Sequence, residues 1–247
     1  PRAGYPDPDY ATFAAAKSGR TPMIYVGAND GMLHGFDATR CTAGGSGDDA
    51  CTGGASPGTE KIAYVPGPVY PHLSLLTDPE YGESSLPHRY YVDGSPMGAD
   101  VKLDGDWTTV LIGGLNAGGQ GYYALDVTNP SSFSEANATS LVLWEFTDAV
   151  DADLGYTFNQ PPINPETQQS PQIAKLNNGK WALIVGNGYN STVADGHAST
   201  TGHAALFVIF IEDGTDGAWD SGDYVKIDTG AGSLAAPNGL ATPRPED

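Results

Sequence analysis

The sequence predicts an all-β fold, a β-propeller of radially repeated antiparallel sheets, present as an arc of about three to four blades with long loops. Short apolar runs, β-branched or aromatic in part and bounded by Gly, Asn or Asp, occur along almost the whole chain. A strand–turn–strand unit recurs three times, and helical periodicity is nearly absent after the first twenty residues. Residues 1–247 are therefore assigned to one partial propeller domain, with a lead-in at 1–20 that carries a short helix and blades over 21–247.

The lead-in is Ala-rich from Tyr10 to Ser18 after Asp7 and Asp9, either of which can cap a helix that Gly19 ends. The runs that follow are Met23–Val26, Thr108–Ile112, Leu141–Trp144, Trp181–Val185 and Leu206–Ile211, each read as a buried strand. Three of them open a repeat. Met23–Asn29 leads through Asp30-Gly31 into Met32–Asp37, and Val110–Asn116 leads through a Gly-rich turn into Gly121–Asp126. Leu183–Gly188 leads after a longer loop into Ala204–Ile209. The Asn-Asp-Gly turn supplies the positive φ angles of a tight hairpin. Asp37 and Asp126 are placed to bond nearby backbone N–H groups, and the third unit departs by carrying Phe210 there.

Aligned on Gly27, Gly113 and Gly186, the units recur at intervals longer than one blade of roughly 40–50 residues, so long excursions interrupt them. Cys41–Gly58, Pro66–His88 and Asn187–His203 are the candidates. Stacked four-stranded sheets explain so many strands with so few helices. Trp107, Trp144, Trp181 and Trp219 are expected in the core between blades.

Eleven Lys and Arg against 30 Asp and Glu give a net charge of −19, a field that repels phosphate backbones and anionic membrane surfaces. Nucleic-acid binding and membrane insertion are not expected. The longest apolar run, Ala204–Ile211, is too short to span a bilayer, and the start at Pro1 without a leader suggests a processed or cut chain. Cys41 and Cys51 flank a Gly-rich loop without a Cys-x-x-Cys motif, which predicts a disulfide and an oxidising compartment.

Two catalytic signatures lack their structural context. Gly54-Ala-Ser56-Pro-Gly58 has no strand before it or helix after it, as a nucleophile elbow requires. Gly119-Gln-Gly121 through Ala124 follows a strand but runs into another strand, so it offers no helix dipole to a pyrophosphate and reads as a hairpin. His34, His72, His88, His197 and His203 form no metal-ligand spacing, and His34 reads as a packed or hydrogen-bonded strand residue. No catalytic residue is assigned. Calcium is the best chemical candidate, with Asp213, Asp216 and Asp220 in the densest Asp/Gly stretch as metal ligands and Asp148, Asp151 and Asp153 as a second cluster. A plain Asp/Gly turn is the competing reading, because the spacing differs from an EF-hand. The glycosylation sequons at Asn137 and Asn190 are read as incidental.

Met23–Ala38, Tyr91–Pro96, Trp107–Gly114, Gly118–Thr128, Asp153–Phe158, Asn178–Ser191 and Asn238–Pro243, taken in that order, resemble the PilC/PilY family of type IV pilus biogenesis factors. The resemblance runs from about Tyr10 to Pro243. It implies part of a C-terminal quinoprotein-like propeller, seven-bladed in the full protein, in a secreted factor that reaches the cell surface, outer membrane or pilus tip through the periplasm. It further implies roles in pilus extension and adhesion, with pilins or minor pilins and host or surface ligands as partners. The family's calcium (Ca2+) loop is expected beyond Asp247. The Cys41–Cys51 loop and Asn187–His203 are the candidate contact regions, since binding concentrates in loops on a rigid scaffold. Two other readings remain open. One is a quinoprotein-type dehydrogenase, which would need a quinone and a catalytic carboxylate; the other is a stand-alone surface or filament-forming propeller protein.

Overall fold

The computed structural model describes residues 7–40, 57–159, 172–193 and 196–244. Helix α1 spans Pro8–Ala16 with Asp7 as its N-cap, the Asp7 carboxylate accepting from Asp9 N–H at 2.9 Å. It begins two residues before the expected start because Pro8 fits the first turn, where no N–H is needed. Lys17 closes it, so Gly19 lies beyond the end.

Among the described residues three antiparallel sheets follow in chain order. The first is β1 (Met23–Gly27), β2 (Leu33–Asp37) and β3 (Glu60–Tyr64); the second is β4 (Met97–Leu103), β5 (Asp106–Gly114), β6 (Gly121–Asp126) and β7 (Val142–Thr147). The third is β8 (Ile173–Lys175), β9 (Trp181–Gly186), β10 (His203–Phe210) and β11 (Tyr224–Gly232). Each is a meander in which sequence neighbours pair. The β4–β5 turn is Asp104-Gly105, both at positive φ (49° and 87°), the backbone hand that matches strand twist in a two-residue hairpin. Asp37 and Asp126 do close the turns after their strands, accepting from Thr39 N–H at 2.9 Å and Thr128 N–H at 2.8 Å.

The second sheet is covered on both faces. Alternation along β5 sends Leu111 into a core with Leu33, Tyr123 and Leu125, against which Tyr25, Ile62 and Tyr64 of the first sheet pack. Val110 and Ile112 point the other way, into a core with Leu183, Val185, Phe207 and Ile209 of the third sheet. Burial on both faces explains the unbroken apolar run in β5. Trp144 and Trp181 are buried in the second core, and Trp107 and Trp219 pack against it. The Trp107 and Trp181 rings meet edge-on at 5.9 Å, and Trp144 Nε1 donates to Ile211 O at 3.0 Å.

The face each strand residue takes corrects the repeat. The equivalent positions are Gly27-Ala-Asn29, Gly114-Leu-Asn116 and Gly188-Tyr-Asn190, a Gly-x-Asn element, rather than Gly27, Gly113 and Gly186. Asn116 and Asn190 both adopt left-handed backbone (φ 49° and 59°), each at the same distance after its tryptophan. The shift matters because a one-residue slip turns a strand's side chains to the other face. In this register Ile24, Leu111 and Val185 are equivalent, and the last two both face the preceding sheet.

Candidate interaction surface

The segments that leave each sheet cross the ends of its strands at very short range. A Cβ on Gly27 would lie 2.3 Å from Val92 O, one on Gly114 2.9 Å from Thr157 O, and one on Gly186 2.3 Å from Leu240 O. Only a residue without a side chain lets backbone pass backbone so closely. One side chain fastens each crossing. Asn29 Oδ1 accepts from Tyr91 N–H at 3.2 Å, and Thr157 Oγ1 accepts from Leu115 N–H at 2.9 Å while donating to Gly121 O.

At the third crossing Asn187 uses all four of its hydrogen-bonding positions. Its amide donates to Asp153 O and His203 O at 3.0 Å each, and its oxygen accepts from Ala205 N–H at 3.1 Å and Leu240 N–H at 2.9 Å. The side chain is fully buried. Asn187–His203 is therefore not simply an exposed contact loop: its first residue locks two linkers and a strand together. Tyr189 and Val193 are exposed large apolar side chains within that segment. Nothing in the sequence pattern separates Asn187 from the other asparagines, because its partners lie far away along the chain.

The second acidic cluster is occupied by a lysine. Lys226 Nζ lies 2.8 Å from Asp151 Oδ1 and 2.8 Å from Asp153 Oδ2. Ser199 and Thr201 donate to the other oxygen of Asp153, and Tyr224 OH donates to Asp151. Burial opposes ionisation of Asp153, yet Lys226 and the two hydroxyls outweigh it and hold the carboxyl below its ordinary range. Asp148 turns elsewhere and accepts from His197 N–H at 2.8 Å. In the first cluster Asp213 pairs with Lys180, and Asp216 accepts from Ala218 N–H at 3.0 Å within its own turn. Asp220 N–H donates to Asp223. Among the described residues no three carboxylate or imidazole groups gather in a way that holds a metal ion.

His34 sits in β2 between two carboxylates, Asp30 at 2.9 Å from Nε2 and Glu60 at Nδ1. Partial burial disfavours its charged form, but the two carboxylates prevail and raise its pKa. The expected Cys41–Cys51 disulfide and the Gly54–Gly58 motif lie outside the fully described residues. The Gly119–Ala124 motif is a strand entry, as expected of a hairpin.

Two apolar sheet faces are left open at the ends of the arc. On the first sheet Ile24 is 60% exposed, whereas its equivalents Leu111 and Val185 are 5% and 0% exposed. On the third sheet Val208 faces Ile184 and Val225 across its two pairings, and Leu206 faces Ile227. Val225 and Ile227 are 44% and 50% exposed. A cavity of about 1070 Å3 also opens between α1, β1 and the β4–β5 hairpin, lined among others by Phe13, Arg20, Tyr25, Asp100 and Leu111. Burial pushes the Tyr25 phenol up to about 12, with Arg20 opposing.

Comparison with known proteins fits this architecture. The family model described as the PilY1 beta-propeller domain matches residues 3–247. A type IV pilus biogenesis factor PilY1 homolog of Xylella fastidiosa is 42% identical over 207 residues, covering 83% of this chain and 11% of the relative. The type IV pilus biogenesis factor PilY1 of Pseudomonas aeruginosa (strain PAO1) is 38% identical over 242 residues, covering 98% of this chain and 16% of the relative. The crystal structure of the Pseudomonas aeruginosa PilY1 C-terminal domain superposes with a TM-score of 0.63 at 37% identity, over 96% of this chain and 36% of that one. The chain thus spans a small part of the curated relatives it matches. With the model covering nearly every residue and the sheets stacking as that fold requires, the chain belongs to the PilY1 beta-propeller domain family.

Proposed function

We propose that this chain is a non-catalytic structural and interaction module of a type IV pilus biogenesis factor, supporting pilus assembly and adhesion. The observation that carries the reading is similarity to PilY1 along 98% of the chain. The rigid joints support it physically: linkers locked over glycines fix the angles between sheets, which suits a platform that presents loops and open faces. Pilins or minor pilins and host or surface ligands are its partners in this reading. It acts outside the cytoplasm, at the cell surface, outer membrane or pilus tip.

The test is made in the natural full-length protein. Deleting residues 21–244 is expected to reduce surface pili and adhesion, and unchanged piliation together with unchanged adhesion would reject the proposal. The Cys41–Cys51 bond belongs to the same reading, and thiol titration of the unfolded, unreduced protein is expected to find neither thiol. Calcium at Asp213, Asp216 and Asp220 is a separate proposal that requires Asp213 to leave Lys180. Calcium should then raise the melting temperature, and more so in Lys180→Met; no shift in either protein would discard it.

A further inference from the structure

We infer that Asn137 is a glycan acceptor, a site that the fold leaves open to a periplasmic oligosaccharyltransferase. The inference rests on the part of the proposed function that has the chain act outside the cytoplasm. Asn137-Ala-Thr139 and Asn190-Ser-Thr192 both carry the acceptor pattern, and the structure separates them. They already differ in what precedes them. Glu135 stands two residues before Asn137, the acidic extension that bacterial transferases of this class favour, whereas Gly188 stands two residues before Asn190.

The segment between β6 and β7 presents the first sequon. Phe133 packs against the core shared with the first sheet and Leu141 is buried, so these two side chains pin the ends of the segment. Between them Glu135, Ala136, Asn137, Thr139 and Ser140 are exposed. The bonds that hold the sequon are local. Asn137 N–H donates to Ser134 O at 3.0 Å and its Nδ2 to Ser132 O at 2.7 Å, while Ser140 Oγ donates to Asn137 O at 2.8 Å. Val142 N–H returns to Ala138 O at the end of the short helix. Opening this segment breaks a few exposed hydrogen bonds and leaves the cross-strand pairs of β6 and β7 in place. Such local opening is cheap, and it lets an enzyme draw the sequon into its own site. The Glu135 carboxylate and the Thr139 hydroxyl make no hydrogen bond or ion pair among the described residues, so the groups that such an enzyme reads are free.

The second sequon is closed, although Asn190 itself lies at the surface. Asn190 takes left-handed backbone (φ 59°), and the buried Gln120 amide donates to Asn190 O at 3.0 Å and to Val193 O at 3.1 Å. Ser191, between the asparagine and Thr192, is 1% exposed. Pulling this turn into an extended path strands the Gln120 amide in the interior without its acceptors. The donor for Asn137 is an oligosaccharide linked through its C1 to a lipid pyrophosphate. The C1–O bond breaks and the C1–Nδ2 bond forms; the amide nitrogen gives up one proton and the lipid pyrophosphate leaves.

Glycopeptide mass spectrometry of the natural full-length protein, taken from the surface fraction of its own cells, tests the inference. A sugar-bearing peptide at Asn137 and an unmodified Asn190 are expected. Asn137→Gln and, separately, Glu135→Gln should each lose the sugar with the melting temperature unchanged. A bare Asn137 in the surface protein, sugar on Asn190 in its place, or undiminished sugar on Asn137 in Glu135→Gln would overturn it. None of these results touches the pilus reading, which is judged on piliation and adhesion.

Discussion

The Asn187 carboxamide oxygen accepts the Leu240 N–H at 2.9 Å, so a residue just past the end of β9 holds the segment that leaves the third sheet. The other end of the same side chain holds Asp153 O, in the segment that enters that sheet. One buried amide thus fixes the sheet against both of its connections.

Replacing Asn187 with Ala strands two N–H groups and two carbonyls in the interior. Each net hydrogen bond is worth about 1 kcal/mol, so a loss of about 3 kcal/mol is expected after relaxation. Asn178→Ala removes only the exposed turn bond to Lys180 N–H and should change stability by less than about 0.5 kcal/mol. Denaturant unfolding of the two variants measures the contrast.

Gly94→Ala puts a Cβ 1.9 Å from Gly114 O, a backbone atom that cannot swing aside. A cost of at least about 2 kcal/mol is expected, as for overpacked cores. Gly19→Ala meets nothing within 4 Å and should be neutral or slightly stabilising. Equal effects at the two sites would show that the crossing is not tightly packed.

His34 gains its carboxylate partners only in the folded chain, and its pKa is raised. Its contribution is therefore fully present below the ordinary histidine value of about 6.5 and is lost as pH rises through the higher folded value. Asp30 and Glu60 are nearly half exposed, which limits the effect to less than about 1 kcal/mol. Stability measured from pH 5 to 9 should show this small decline in the parent and not in His34→Gln.

Lys226→Met leaves Asp151 and Asp153 facing each other without their cation. A loss of about 2 kcal/mol is expected, less than for a fully buried pair because Lys226 is still 31% exposed. The lowered pKa of Asp153 means that its contribution is present above pH about 4 and disappears as pH falls through the folded value. Acid unfolding should therefore begin at a higher pH in Lys226→Met, and an unmoved acid midpoint would remove Lys226 from that role.

Strands with a buried face were legible because burial writes a local signature. Met23–Val26, Thr108–Ile112 and Trp181–Val185 all fall inside β1, β5 and β9. The edge strands β4 and β11 were not. The β4 segment carries Gly98, Asp100 and Lys102, and β11 is exposed along nearly its whole length, so neither presents an apolar run. Leu141, expected in a strand, instead ends the short helix Ala138–Leu141.

By itself, the sequence determined the all-β class, the turn closures at Asp37 and Asp126 and the family, since each depends on residues close together in the chain or on motifs kept in order. The tertiary structure decided which face each strand turns, that Lys226 holds the Asp151–Asp153 pair, and that Asn187 joins Asp153 to Leu240. Those relationships depend on distances between remote segments, and strand pattern does not encode a distance until the sheets are stacked.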